Sequence, residues 1–216
     1  MTNGTTLTVK ANKQETEECN SVFITDLTTL RLPTVFPEAD KIIRSVQQNR
    51  GSFFLNLAGL NPAIAPRDEL VSVLTALRKT PEIVTGNESE LAYLMGTHDR
   101  DRIVREAFPD TRLLLLTLAD QGSVLRFEDE ILPLPAYPVA PDRVLDETGA
   151  GDTYAGIMLG SLYTEPYARW SRSHVLLACN TAAFGAALAV QTLRTRLTDG
   201  EMEQVRQFHS SQQRPT

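Results

Sequence analysis

Short apolar runs rich in branched residues alternate with longer amphipathic segments along the chain. Such runs are typical of the strands of a parallel sheet, and amphipathic segments form the helices that cover its faces. The pattern predicts strands at 22–25, 53–58, 83–85, 113–118, 123–127 and 131–134. It predicts helices at 37–49, 67–79, 88–95, 102–108, 153–163 and 171–197. The sequence therefore indicates an α/β fold.

Three segments refine this picture. Residues 113–118 are so uniformly apolar that they predict a central strand buried on both faces. The two following strands flank the acidic turn Glu128-Asp129-Glu130, which predicts a hairpin. Residues 210–216 are polar, and we expect a disordered tail there. Because the chain has no internal repeat and no interdomain linker, residues 1–209 are expected to form a single domain.

Composition narrows the classes of function. With 216 residues, 42% of them hydrophobic, the chain can bury one good core. A net charge of -6 argues against nucleic acid or an anionic membrane as the main partner. Cys19 and Cys179 have no metal-binding spacing. The longest apolar segment, 175–190, is too short to span a bilayer, and the polar N-terminus lacks a signal-peptide core. We therefore expect a cytoplasmic location.

The strongest candidate site lies in the small-residue segment 144–156. Gly149 and Gly151 can adopt positive φ and let an anion approach the backbone, and the helix that follows offers its unpaired N–H groups. Asp152 makes little sense as an anion ligand but good sense as a general base beside a phosphoryl group. The alternative is an ordinary tight connection between a strand and a helix.

A second signal is Asn87-Glu88-Ser89-Glu90. Asn87 is a good N-cap and Glu90 stands at the capping-box spacing, so a purely structural role explains both residues. The segment also follows a short strand, where open α/β sheets bind ligands, and Mg²⁺ with its waters suits an acidic residue there. Both interpretations can hold together.

Two further segments suit a nucleotide. Thr117 to Gly122 follows the apolar strand, where a plain polar turn into the hairpin is an equally good explanation. Asn180 lies among alanine and leucine residues on the last predicted helix, either as a hydrogen-bonded amide of the helix or as a contact near a purine base.

At these residues the chain resembles the ribokinase-like (PfkB) family of carbohydrate and nucleoside kinases. Asp146 to Asp152 is similar to the family signature D-T-x-G-A-G-D, Asn87 to Glu90 to its N-x-x-E motif, and Thr117 to Gly122 to its T-x-G-x-x-G segment. The order and spacing of the three motifs agree, and Asn180 falls in a similar C-terminal helix. The resemblance implies a three-layer α/β/α sandwich with a Rossmann-like, mostly parallel sheet.

The resemblance also implies a reaction and the residues that carry it. The chain would move the γ-phosphoryl group of ATP to a hydroxyl of a sugar or nucleoside, with Mg²⁺ and with a monovalent cation left open. The implied roles are Asp152 as base; Gly149, Ala150 and Gly151 as anion hole; Thr117, Gly122, Thr148 and Asn180 at the nucleotide; and Asn87 and Glu90 at Mg²⁺. Neither nucleic acid nor a membrane is expected as partner, whereas a homo-oligomer or a partner chain is compatible with the sequence.

The chain departs from the family pattern at three points. Glu147 stands at the threonine of the signature, where a carboxylate facing the phosphates would weaken their binding. Ala119 replaces a glycine, which hinders close backbone approach. The resemblance covers the C-terminal two-thirds of a usual member, so the N-terminal half and its lid are expected to be missing. This leaves an alternative function: a shortened nucleotide-binding or interaction protein without efficient turnover.

Overall fold

A computed structural model describes residues 21–25, 27–48, 52–77, 80–163, 169–194 and 196–213, excluding the side chain of residue 47. Its strands are β1 Ser21–Ile24, β2 Ser52–Asn56, β3 Ile83–Asn87, β4 Leu113–Thr117, β5 Ser123–Phe127 and β6 Glu130–Leu134. Its α-helices are α1 Leu27–Leu30, α2 Phe36–Gln48, α3 Arg67–Ala76, α4 Glu88–Met95, α5 Arg100–Glu106, α6 Ala150–Leu162, α7 Arg172–Ala189 and α8 Asp199–Gln212. Short 3₁₀ turns occupy Ala119–Gln121 and Pro141–Arg143.

The six strands form one mostly parallel sheet in the sequential order β1-β2-β3-β4-β5-β6. Strands β1 and β2 pair in parallel with Ser21 opposite Ser52. Strands β5 and β6 pair antiparallel with Ser123 opposite Leu134, which confirms the predicted hairpin. Residues 113–116 of β4 are fully buried. The uniformly apolar run is therefore the central strand that its composition predicts.

The chain divides into two compact units. The first consists of the residues up to Val84 together with Ser89–Leu113. Its core is formed by fully buried apolar side chains of β2 and the helices. On the outer strand β1, Phe23 packs against Phe54 with 4.5 Å between ring centroids. The hydroxyl of Tyr93 in α4 donates to the carbonyl of Ala65, in the turn before α3, at 3.0 Å.

The second unit consists of Thr85–Glu88 and the residues from Leu114 onward. It contains the β5–β6 hairpin and the helices α6, α7 and α8, and all motif residues except Ser89 and Glu90. Helices α6 and α7 pack closely, with Cys179 Sγ 3.8 Å from Met158 Sδ. A Cβ at Gly185 would lie 2.1 Å from the Ile157 side chain, so glycine permits this approach. The sequence predicts one domain over residues 1–209, and that remains a prediction.

The two long helices differ from the predicted ranges. Helix α6 begins at Ala150 rather than residue 153, because the Thr153 N–H already donates to the Gly149 carbonyl. Helix α7 ends at Ala189, well before residue 197. The side chains of Gln191 and Thr192 turn back to the carbonyls of the last helical turn, at 2.8 and 3.2 Å, and so replace the helix bonds that would have followed.

Helix α8 is absent from the sequence prediction. It begins with a capping box, in which Thr198 and Glu201 bond each other's side chain and backbone N–H. Because α8 reaches Gln212, the expected disorder is wrong for residues 210–212, whereas 214–216 lie outside the described residues. The polar segment Met1 to Asn20 and the ends of the helices predicted at 37–49 and 67–79 also lie outside them.

No helix in the described parts of the chain is both long enough and apolar enough to cross a membrane.

Candidate active site

Hydrogen bonds at Leu145, Asp146 and Thr148 hold the turn that precedes α6. The N–H groups of Leu145 and Asp146 both donate to the Val190 carbonyl, at 2.8 and 3.2 Å, so the C-terminus of α7 holds the start of the turn. The Asp146 carboxylate then accepts the Thr148 N–H at 2.9 Å. This bond, together with one from the Thr148 side chain, lowers the pKa of Asp146. Asp146 and Thr148, both in the predicted site, therefore shape the turn themselves.

Gly149 opens the helix in the left-handed conformation, with φ 81°. The next three residues, Ala150 to Asp152, form the first turn of α6, the end of a helix at which backbone N–H groups point outward. The Ala150 N–H donates to the Glu147 carbonyl at 3.2 Å and is thus engaged within the turn. A Cβ at Gly151 would meet no atom within 4 Å, so an anion can approach the backbone there. Asp152 is exposed at the same end of the helix.

The predicted nucleotide segment lies beside this helix. The buried Ser123 hydroxyl, which follows Gly122 directly, is 3.4 Å from the hydroxyl of Tyr154 in α6. Burial raises the pKa of Tyr154 well above its usual range, so this hydroxyl remains protonated. At the other end of the segment, Thr117 Oγ1 lies 3.5 Å from the Gly86 carbonyl at the end of β3. These contacts bring the segment 117–122 next to both α6 and Asn87.

Gly122 itself is held by the backbone around it. Its φ and ψ are 93° and −131°, a conformation open essentially to glycine alone. A Cβ would lie 2.1 Å from the Leu134 carbonyl oxygen and 2.7 Å from the Ala136 nitrogen. The glycine is required by this packing, whether or not a nucleotide is bound.

Ala119 occupies a left-handed backbone conformation, with φ 51°. This conformation explains why the motif that the segment resembles has glycine here, since a Cβ is strained at positive φ. The alanine at position 119, where the motif has glycine, is therefore a source of local backbone strain.

We expect Ala119→Gly to raise the free energy of unfolding by about 0.5–1 kcal/mol, because relief of left-handed strain outweighs the added freedom of the unfolded chain. Urea unfolding measures this change. Ala140→Gly is the matched control, because Ala140 is exposed with φ −65° and its replacement should only destabilise. A destabilised Ala119→Gly variant would contradict the assigned strain.

The residues predicted for Mg²⁺ lie at the junction of β3 and α4. Asn87 ends the strand and is exposed, and Glu90 stands in the first turn of α4. Asn87 belongs to the second unit and Glu90 to the first. Within the described ranges, no three His, Cys, Asp or Glu side chains are grouped so that they could hold a metal ion. The assignment of Asn87 and Glu90 to Mg²⁺ stays a prediction.

Asn180 is exposed on α7, one turn before Phe184. Phe184 belongs to an aromatic cluster that the sequence pattern did not indicate. Its ring stacks on Phe208 of α8 at 4.6 Å between centroids and meets Tyr137 edge-on at 4.9 Å. Phe184 stands four residues after Asn180, and residues at this spacing share a helix face. The sequence therefore indicated an aromatic ring beside Asn180.

A groove along α6 was also missed. It begins at Asp152 and continues past Gly156 and Gly160, with α8 as its other wall. Glycines four residues apart on a helix were a signal for an uncovered face, but α8 was not predicted and the second wall was therefore unknown.

A model of the pfkB family carbohydrate kinases matches residues 6–199. The chain belongs to this family. The segment that resembles the pfkB signature is thus the one that shapes the turn before α6.

Individual family members match over part of their length. Fructokinase-1 from Oryza sativa subsp. japonica is 33% identical over 110 residues, which cover 50% of this chain and 33% of the relative. An adenosine kinase structure from Sinorhizobium meliloti has a TM-score of 0.75 at 20% identity, covering 91% of this chain and 57% of that chain. A fructokinase double mutant from Vibrio cholerae O395, bound to fructose, ADP and potassium, has a TM-score of 0.71 at 20% identity, with 87% and 59% covered.

These coverages show two things. The structural likenesses establish the ribokinase-type α/β fold for the matched part of the chain. The chain also spans a third of the rice enzyme and less than 60% of either solved structure.

Proposed function

We propose that this chain binds ATP with Mg²⁺ and transfers the γ-phosphoryl group to a hydroxyl of a sugar or nucleoside. The observation that carries the proposal is the start of α6, where an exposed carboxylate, Asp152, stands on a helix end whose backbone is open at Gly151. A helix N-terminus favours phosphate through its N–H groups and its dipole. Membership of the pfkB family supports the same chemistry.

In this proposal Asp152 accepts the proton of the acceptor hydroxyl as that oxygen attacks phosphorus. The backbone N–H groups of Gly149 and Gly151 stabilise the charge on the transferring group, and Ala150 joins them if its N–H leaves the Glu147 carbonyl. Thr117, Gly122, Thr148 and Asn180 border the nucleotide. Bound Mg²⁺, with Asn87 and Glu90 organising it, supplies neutralising charge for the phosphates.

The relatives support a proposal for the acceptor only as a class of molecule. The two solved structures named above are a fructokinase and an adenosine kinase, so a sugar or a nucleoside is proposed for this chain. Potassium is bound in the Vibrio cholerae structure, which supports a monovalent cation as an additional ligand.

The chain matches only part of the length of its relatives, which supports a second candidate function. A chain that spans less than 60% of the solved kinases can retain the phosphate-binding turn without excluding water from it, and phosphoryl transfer needs both positioning and exclusion of water. In that case the protein is a nucleotide-binding or interaction protein without efficient turnover.

ATP with Mg²⁺ is expected to stabilise the folded chain under both candidates. Once ATP exceeds its Kd about tenfold, linkage predicts a rise in Tm of roughly 3–6 °C for a protein of this size. Differential scanning calorimetry at millimolar ATP and Mg²⁺ measures the shift. No shift would remove the nucleotide-binding proposal.

A matched pair of variants tests whether the ATP-dependent rise in Tm depends on the turn before α6. Gly151→Glu places a carboxylate in the first turn of α6, and Gly200→Glu does the same in α8, with open space around either glycine. The first variant should lose the ATP-dependent shift through charge repulsion, whereas the second should keep it. Equal shifts in both would place the nucleotide elsewhere.

A further inference from the structure

A chain of four buried side chains joins strand β5 to helices α6 and α7 within the second unit. The Ser123 hydroxyl is 3.4 Å from the hydroxyl of Tyr154. The Tyr154 hydroxyl is also hydrogen-bonded to Cys179, whose Sγ lies 3.8 Å from Met158 Sδ. Tyr154 is thus the member that connects the strand to both helices.

The direction of these bonds follows from the hydrogens available, because each hydroxyl or thiol has one to donate. The Cys179 thiol donates to Met158, so its sulfur accepts from the Tyr154 hydroxyl. Tyr154 has then used its hydrogen, and its oxygen accepts from Ser123. Burial raises the pKa of Tyr154 well above its usual range and that of Cys179 to about 12, so both donors keep their protons near neutral pH.

Tyr154 lies on the opposite side of α6 from the proposed base. It stands two residues after Asp152, and positions two apart on a helix point in nearly opposite directions. Tyr154 is accordingly buried, whereas Asp152 is exposed. At the far end of the hydroxyl pair, Ser123 directly follows Gly122 of the nucleotide segment. The buried side of the first turns of α6 is therefore bonded to the end of that segment.

The two anchors of the Tyr154 hydroxyl are themselves held in place. Ser123 pairs with Leu134 in the hairpin, and the backbone of residues 134–136 encloses the preceding Gly122. Cys179 is fully buried where α6 and α7 pack closely. A displacement of α6 would therefore cost the buried hydroxyl its bonds, and a buried polar group that loses its bonds is destabilising.

We propose that Tyr154 is a positioning residue, whose hydroxyl keeps the first turn of α6 and Asp152 in register with the nucleotide segment 117–122. One ATP molecule must contact both elements at once, so its affinity depends on their relative position. The inference rests on the proposed function, which assigns the phosphates to the turn before α6 and the nucleotide to the segment.

Two substitutions remove the bond from either side. Tyr154→Phe keeps the ring and removes its hydroxyl, and Ser123→Ala removes the donor to that hydroxyl. Tyr93→Phe is the matched control, because it also removes a hydrogen-bonded hydroxyl, here from the first unit. Displacement of a fluorescent ATP analogue measures the Kd of ATP with Mg²⁺ and of tripolyphosphate, which carries phosphates without a nucleoside. Calorimetry gives the Tm of each protein.

We expect ATP to bind Tyr154→Phe and Ser123→Ala about fivefold more weakly than wild type, the usual worth of a hydrogen bond. Tripolyphosphate needs only the turn, and its Kd should stay within about twofold in every protein. The double variant should bind ATP like Tyr154→Phe alone, because both substitutions remove the same bond. Tyr93→Phe should lower the Tm and leave the Kd of ATP unchanged.

A lower Tm with unchanged ATP affinity in Tyr154→Phe would make the hydroxyl a structural group only and overturn the inference. Additive losses in the double variant, or an equal loss of tripolyphosphate affinity, would do the same. So would a wild type that binds ATP but not tripolyphosphate. If Tyr154→Phe did not fold, Ser123→Ala would decide the question by the same outcomes. A wild type that binds no ATP would instead remove the proposed function, and this inference with it.

Discussion

Replacing Gly122 with alanine is expected to lower the free energy of unfolding by about 3 kcal/mol or more, because backbone strain and a backbone clash act at one residue. Its φ of 93° is strained for any side chain, and the new Cβ would lie 2.1 Å from the Leu134 carbonyl oxygen. That oxygen belongs to the end of strand β6, which is paired with β5 and cannot move without disturbing the hairpin. Urea unfolding measures the change.

Gly59→Ala separates the two causes. Gly59 also has a positive φ, 80°, but a Cβ there meets no atom within 4 Å. Its replacement therefore reports strain alone, expected at roughly 1–2 kcal/mol. If both variants lost the same stability, the clash at Gly122 would be disproved. If the larger loss is found, reduced ATP binding by Gly122→Ala reflects a damaged turn and is no evidence of a nucleotide contact.

The layout of strands and helices was predictable from local pattern. The six strands of the described residues lie within about two residues of their predicted bounds, since each contains a short apolar run. The pattern of apolar residues did not predict α8. Val205 is its one buried residue, and the helix is otherwise too polar to show a periodic apolar face. The capping box at Thr198 and Glu201 was the better signal, because it depends on the helix end rather than on its buried face.

The boundaries of α6 and α7 depended on contacts that no local pattern contains. The Val190 carbonyl accepts two N–H groups from the turn more than forty residues earlier in the chain. That interaction helps to end α7 and at the same time fixes Asp146. The turn was therefore predictable as a segment of sequence, whereas the bonds that shape it required the tertiary fold.

The same distinction applies to the roles of the motif residues. The resemblance gives the segments 117–122 and 146–152 roles at the same nucleotide, and the contact between Ser123 and Tyr154, which flank the two segments, brings the segments close together. It could not reveal that Gly122 is enclosed by backbone or that Ala119 adopts a positive φ, because both depend on the path of the turn. The catalytic and nucleotide-binding roles remain predictions that kinetics must test.

Asp152→Asn is expected to leave the fold intact and to reduce phosphoryl transfer by roughly 10²- to 10⁴-fold, the usual contribution of a general base. The side chain is exposed in the first turn of α6, so the amide replaces it without a packing change. ATP affinity should stay the same or increase slightly, because a negative charge leaves the phosphate-binding end of the helix. ADP release is measured with a panel of sugars and nucleosides.

Asp199→Asn is the matched control, since Asp199 occupies the first turn of α8 and carries the same charge at a helix end outside the proposed site. Removing it reproduces the loss of a favourable charge–dipole interaction, of about 0.3–1 kcal/mol, without removing a base. Turnover should therefore fall in Asp152→Asn and persist in Asp199→Asn. Equal turnover in the two variants would disprove the role of Asp152 as base. If the wild type released no ADP with any acceptor while ATP still raised its Tm, the chain would be a nucleotide-binding protein that has kept the phosphate turn without the reaction.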